Sequence, residues 1–333
     1  MRCDTKSIVM THQQLAGLVL AIAAGLDYSI GDPWHWWHPV QGMGWCIQQF
    51  TQRVFKAERS PQAEKLAGVF LGVGLIVGSG AIAWLLQSMG RSIHPAVGIA
   101  IESVMLASCF AGRSLRDAAQ TILKSLQTQD LETTRKQLAM YVGRDTASLT
   151  EPEILRAVLE TVAENATDGV LAPLFYAILG AFLGIGSVPL AFAYKAASTL
   201  DSMVGYREAP YTHIGWFSAK TEDLLTWLPC RLTVLTLALF SGRSMYVWQV
   251  CCRDAPQDPS PNSGWSECAY AAALDVQLGG ENTYRGVIKS KPRLGNAIQP
   301  ITPERIQMAL RLTRFSFLVW LVGAIAGLTL LPS

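Results

Sequence analysis

Apolar residues in this chain fall into long runs, separated by polar stretches with helical periodicity. Residues 66–89 carry no charge, and a hydrocarbon core needs about 20 such residues to be crossed by a helix. Gly68, Gly72, Gly74, Gly78 and Gly80 within that run suit close helix contact in lipid. Residues 315–331 form a second run, and residues 95–112 a third, interrupted by Glu102. A further segment at residues 15–30 opens with a short apolar stretch, which spans by recruiting neighbours, lies in the interface, or packs inside the protein. Residues 170–194 hold Pro173, Gly184, Gly186 and Pro189, and read as one tilted crossing or a tight hairpin around Gly184. Pro229 and Arg231 argue against a lipid-facing span at residues 224–240 and favour a re-entrant or interfacial segment. The pattern predicts an all-α fold: one polytopic membrane domain over residues 1–333, with helical cytoplasmic segments at residues 113–168 and 243–314.

The polar stretches carry the candidate chemistry. Residues 114–126 and 131–141 read as helices, followed by a turn at Gly143-Arg144-Asp145-Thr146. Thr150-Glu151-Pro152-Glu153 is a capping box with proline in the first helical turn. The helix it starts places Glu160, Glu164 and Asp168 on one face, opposite Leu155, Val158, Leu159 and Val162. Like charges at that spacing cost about 0.2–0.5 kcal/mol per pair. A divalent cation carrying phosphates would offset the cost, and so would solvation with Arg156 pairing Glu160. A second cluster runs from Ser198 through Asp201 and Ser202 to Tyr206 and Arg207, suited to a phosphate and its metal or to a loop capping a membrane helix. In a third, Pro256, Pro259 and Pro261 hold the chain extended. There Asn262 or Ser263 caps a helix running from Trp265 towards Leu278, ended by Gly279-Gly280. Helix starts of that kind can bind anions, though many hold none. His35 and His38 lack a clear third metal ligand, and Trp36 and Trp37 between them suit the membrane interface.

Composition agrees with a membrane setting. Charged residues are 16% of the chain. Soluble domains carry about 25%. Lys and Arg concentrate at residues 53–65, 113–156 and 243–314, which places those segments on the cytoplasmic side of the cell membrane. No signal peptide is evident, and seven cysteines without a Cys-x-x-Cys pair read as buried thiols. A net charge of +2, with no basic stripe interleaved with aromatics, gives no support to nucleic-acid binding. Neither a Walker A loop nor a dinucleotide-binding glycine motif is present.

Five motifs in order then become informative: Leu26-Asp27 with Gly31-Asp32-Pro33 and His38-Pro39-Val40; Val142-Gly143-Arg144-Asp145-Thr146; Val162-Ala163-Glu164-Asn165 with Asp168-Gly169-Val170; Thr199-Leu200-Asp201-Ser202-Met203-Val204-Gly205-Tyr206; and Ser260-Pro261-Asn262-Ser263-Gly264-Trp265. Together they closely resemble the CobD/CbiB family, membrane proteins of cobalamin biosynthesis called adenosylcobinamide-phosphate or cobinamide synthases, over residues 17–315. Ser198, Asp258 and Ser266 depart from the family's usual Asn, basic or His residue, and Pro, and put only those positions in doubt.

The resemblance implies ATP-dependent amide formation between a propionate of adenosylcobyric acid and (R)-1-amino-2-propanol or its phosphate. It implies magnesium and ATP, with Glu160, Glu164, Asp168 and Asp201 as catalytic acids and the last three as magnesium ligands. Arg144 and Arg207 would meet phosphate charge, and His38 would transfer a proton. Asp32, Asp145, Asn165, Ser202 and Tyr206 would contact substrate, and Ser260, Asn262 and Ser263 would form an anion- or amide-binding turn. For each residue the alternative is a cap or an interhelical hydrogen bond. Membrane lipid and other corrinoid-pathway enzymes are the further expected partners. Two other classes compete, a small-molecule permease and a non-catalytic membrane scaffold. Only Glu102 and Arg231 lie inside plausible spans, whereas a permease would place its ionisable residues there, so the distribution favours an enzyme.

Overall fold

A computed structural model of the chain describes residues 11–32, 38–57 and 60–330, so Pro33 and His35 lie outside the described residues. Capping chemistry sets the early helix starts. Thr11 and Gln14 form a reciprocal cap on α1 (His12–Ser29), and His38 and Gln41 do so on α2 (Pro39–Lys56). Ser60 caps α3 (Pro61–Ile93) and His94 caps α4 (Pro95–Ala107). Proline opens α2, α3 and α4, where its missing N–H leaves no intrahelical bond unmade. Next come α5 (Gly112–Gln127) and α6 (Leu131–Leu138), then α7 (Glu151–Asn165). The expected capping box of α7 is present, with Thr150 N donating to Glu153 Oε2 at 2.7 Å.

α7 does not stop at the acidic motif. It passes into a π-helical turn (Ala166–Leu171) and on into α8 (Ala172–Phe182). Such wider turns recur at functional sites because they displace side chains from the regular helical faces. The chain then reverses over residues 183–186 and enters α9 (Ser187–Val204). Gly184 and Gly186 in that reversal take φ of 73° and 100°, values that glycine adopts without a steric penalty. Gln87 of α3 donates to Ile185 O at 2.8 Å and ties this turn to the bundle.

Among the described residues four stretches are long and apolar enough to cross a membrane: α3, the α4–α5 run, α10 (Trp216–Phe240) and α13 (Pro303–Leu330). On α3, Leu66 and Phe70 are 71% and 73% exposed, and Val77, Trp84 and Met89 are also bare. Together they make a continuous apolar face that lipid covers in a membrane protein. Gly68 and Gly72 line the packed side of α3, where a Cβ would collide with Ile214 O and with the Phe217 ring, whereas Gly74 and Gly78 meet nothing. The two charges inside apolar runs are both held. Arg91 grips Glu102 bidentately at 2.5 and 2.8 Å, the fork geometry that suits a carboxylate. Arg231 donates to Pro261 O at 2.8 Å and stacks over Trp265.

The C-terminal polar portion differs from the helical expectation. α11 (Ser244–Asp254), a 3₁₀ turn (Ala255–Gln257) and α12 (Ser263–Ala273) come first, but α12 ends well before Leu278. Residues Leu278–Tyr284 and Val287–Leu294 instead form an antiparallel hairpin, β1 and β2, pairing Asn282 with Lys289 and Tyr284 with Val287. Gly279-Gly280 does not terminate a helix; both residues sit in β1, with φ of 81° and 92°. The ladder bulges there against β2. The main core gathers Leu159, Leu171, Leu174, Tyr270 and Ile306 from α7, the π turn, α8, α12 and α13. Each such side chain contributes about 1.5–3 kcal/mol when fully buried. The acidic motif is therefore anchored on the main core.

Candidate functional site

Glu160 is nearly inaccessible and has partners on every side. Arg144 bonds its Oε2, Gly279 N donates to Oε1 at 2.9 Å, and Arg156 Nη1 lies 3.7 Å away. Arg144 Nη1 also donates to Asn282 Oδ1 at 2.8 Å, and Arg156 Nη2 to Glu281 O at 2.8 Å. Asp145 accepts from Arg285 N and Gly286 N at 3.1 and 2.8 Å, which closes the hairpin turn. The Gly143-Arg144-Asp145-Thr146 segment and Glu160 thus form a clamp that docks the hairpin on α7.

One turn later the surroundings reverse. Glu164, Asp168 and Asp201 make no ion pair among the described residues. Asp168 is pushed well above the ordinary carboxylate range by burial and then by Glu222, Glu164 and Asp201. Asp201 rises to about 6 by burial, with Asp223 and Glu164 adding to it. Burial also raises Glu164, opposed by Lys291 and reinforced by Asp258 and Glu160. Its side chain keeps access to solvent, which screens part of the rise. Gly205 leaves room for this arrangement, because a Cβ there would run into Asp201 Oδ1.

Four residues of this region were not anticipated from the sequence. Glu222 and Asp223 come from the first turns of α10, Glu267 from α12 and Lys291 from β2. Glu267 is completely buried with Oε1 3.4 Å from Lys291 Nζ and Oε2 unbonded, and Asp258 Oδ2 is likewise buried and unbonded. The polar run Lys220-Thr221-Glu222-Asp223 ahead of an apolar stretch was the available signal for two of them.

The turn at residues 258–263 lies beside this cluster, bound from two directions. Arg207 Nη2 donates to Pro259 O at 3.1 Å, and Asn262 Nδ2 donates to Asp223 O at 2.8 Å. Asn262 is buried and also receives Arg231 Nη1 at 3.2 Å on its Oδ1. Ser260 Oγ accepts from Asn262 N and Ser263 N at 3.3 and 3.1 Å, so Ser260 occupies those two backbone donors. Asn165 Nδ2 bonds Thr161 O, Ser202 Oγ bonds Ser198 O, and the exposed Tyr206 bonds Ser202 O; these bonds tie all three to the helices that carry the acids.

The N-terminal motif is elsewhere. His38 Nδ1 accepts from Val40 N at 3.3 Å and Nε2 lies 3.2 Å from Asp32 Oδ1, so both ring nitrogens have neighbours within the fold. Burial raises Asp32, but hydrogen bonds from His38 and Ser114 outweigh it and hold the pKa below the ordinary value. These two residues line a separate hollow of about 640 Å³ that includes none of the acidic cluster.

The acidic cluster suits magnesium in donor type, since all its free ligands are hard carboxylate oxygens. No three described acids converge closely enough to hold an ion alone, so an ion there would complete its shell with phosphate and water.

A family description, CobD/Cbib protein, matches residues 20–313. The chain is 52% identical over 305 residues to a Synechocystis sp. protein named cobalamin biosynthesis protein CobD, covering 91% of this chain and 89% of that one. It is 40% identical over 314 residues to cobalamin biosynthesis protein CbiB of Salmonella typhimurium, covering 93% and 94%, and 41% identical over 298 residues to CobD of Geobacter metallireducens, covering 86% and 88%. No solved structure matches.

Proposed function

Since the chain belongs to the CobD/CbiB family, we propose that it acts in cobalamin biosynthesis as an acid–amine ligase. The reaction is ATP-dependent amide formation between a propionate of adenosylcobyric acid and 1-amino-2-propanol or its phosphate. The supporting observation is that Glu164, Asp168, Asp201 and Glu222, four carboxylates within reach of one another's charge from three segments, have no arginine or lysine paired to them among the described residues. Acids concentrated against their mutual repulsion call for a cationic guest, and a nucleotide brings magnesium with it.

Magnesium would supply charge neutralisation at the transferring phosphoryl group. Glu164, Asp168 and Asp201 would hold it, and Glu222 would add negative potential from α10. Arg207, on the loop against residue 259, and Lys291, above Glu267, would meet phosphate oxygens. Glu160, Arg144 and Asp145 would act through the hairpin by fixing where Lys291 stands. In the first half-reaction the propionate oxygen would attack the terminal phosphorus of ATP, forming an acyl phosphate and releasing ADP. In the second the amine nitrogen would attack the carbonyl, phosphate would leave with the C–O bonding pair, and the nitrogen would lose a proton to an ionised acid of the cluster or to water.

The test is mass spectrometry of detergent-purified protein given adenosylcobyric acid, magnesium ATP, and either aminopropanol or its phosphate. One amide product and one ADP per turnover are expected, with loss of about 100- to 1,000-fold or more in Glu164→Gln and Asp168→Asn. Folded protein silent with both amines would move the assignment to a scaffold or a permease.

A further inference from the structure

The hollow around Asp32 is distinct in its donors and acceptors. It lies between the start of α2, the polar face of α5, Tyr141 and α9. Both acids that line it have their oxygens engaged. Asp32 has His38 at 3.2 Å and Ser114 Oγ at 2.8 Å, while Asp117 has Arg113 Nε at 3.0 Å and Arg116 Nε at 3.6 Å. Asp27, which also exerts its field on Lys195, faces Arg113 N at 3.5 Å. Lys195 is partly buried and lines the hollow, yet its ammonium bonds no acceptor among the described residues. The Tyr141 hydroxyl and the Gln41 amide nitrogen there are also without a partner in that set. The oxygens of both lining acids are thus engaged, while Lys195, Tyr141 and Gln41 keep donors that no described residue meets. A partly buried ammonium without a protein acceptor is left to an anion or to water to complete.

We propose that this hollow is a second ligand site that takes the phosphate group of a small water-soluble molecule, with Lys195 as its charge partner. Lysine serves phosphate as a point charge, and unengaged donors line the hollow from α2, from α9 and at Tyr141. The lining from Asp117 and Thr121 is the polar face of α5, which opens the hollow to water and favours a soluble ligand over lipid. Lys195 and Asp201 are six residues apart on α9, about 9 Å along its axis and on different faces, so the site stands apart from the metal-phosphate reading of the acidic cluster.

The experiment is calorimetric titration of the full-length protein with inorganic phosphate in chelator-containing, magnesium-free buffer, where the acidic cluster repels the probe. One saturable site is expected, at least tenfold weaker in Lys195→Gln, retained in Lys195→Arg, weakened severalfold in Tyr141→Phe and unchanged in Lys136→Gln on exposed α6. Melting curves of each variant establish that it is folded. Absent binding, or equal affinity in wild type and Lys195→Gln, would overturn the proposal. Displacement of bound phosphate by phosphatidylglycerol vesicles but not by phosphatidylcholine vesicles would assign the site to a lipid headgroup and overturn the soluble ligand.

Discussion

Glu160 and Glu164 stand one turn apart on α7, yet their surroundings are opposite. Glu160 is enclosed by Arg144, Arg156 and a backbone N–H; Glu164 makes no ion pair among the described residues and adds its charge to Asp168, Asp201 and Glu222. Two acids of one type on one helix face therefore serve different ends. A buried carboxylate that is fully partnered fixes architecture, because removing it strands charge. A carboxylate left among other carboxylates holds repulsion that a cation can relieve.

Removing one acid from each region tests that contrast most severely. Glu160→Gln leaves two arginines facing a neutral amide, and a loss of about 3–5 kcal/mol is expected, read as a large fall in melting temperature in detergent. Asp168→Asn takes away repulsion instead, so its melting temperature is expected to match or exceed wild type while amide formation disappears. A stable Glu160→Gln protein would erase the distinction between the two regions.

A smaller effect comes from geometry alone. Gly205→Ala places a methyl group where Asp201 Oδ1 now sits and must swing that carboxylate aside. Product formation is expected to fall by up to about 100-fold with little change in melting, which steady-state assays on the purified variant would measure.

The mildest test is pH. Asp201 is raised from 3.8 to about 6, so its neutral form is favoured in the folded protein. The stability contributed by the neutral form is fully present below 3.8 and is lost as pH rises through about 6. A cation must displace that proton, so affinity for manganese as a magnesium probe is expected to rise with pH through about 6, by up to about tenfold per pH unit from Asp201. Titration in paramagnetic-relaxation or calorimetric format reads this, and a flat profile would remove Asp201 from the cation site.

Much of this was legible along the chain. Uninterrupted apolar runs marked α3 and α13, and Thr150 with Glu153 marked the start of α7, because helix length and capping depend on residues within a few positions of each other. The spacing of Glu160, Glu164 and Asp168 marked a site. It carried no information on which acid would be paired, since Arg144 and Gly279 reach Glu160 from far along the chain.

The hairpin was not legible either. Leu278–Tyr284 contains two glycines and little apolar alternation, and its strand form rests on pairing with β2 and on anchors from Arg156 and Asp145. Lys291 and Glu267 meet only because that hairpin folds back over α12. The sequence by itself determined the helical membrane framework and its family, through local periodicity and ordered motifs. The tertiary structure alone decided which charges are satisfied, since pairing depends on distance in space and on exclusion of water, and neither is a property of neighbouring residues.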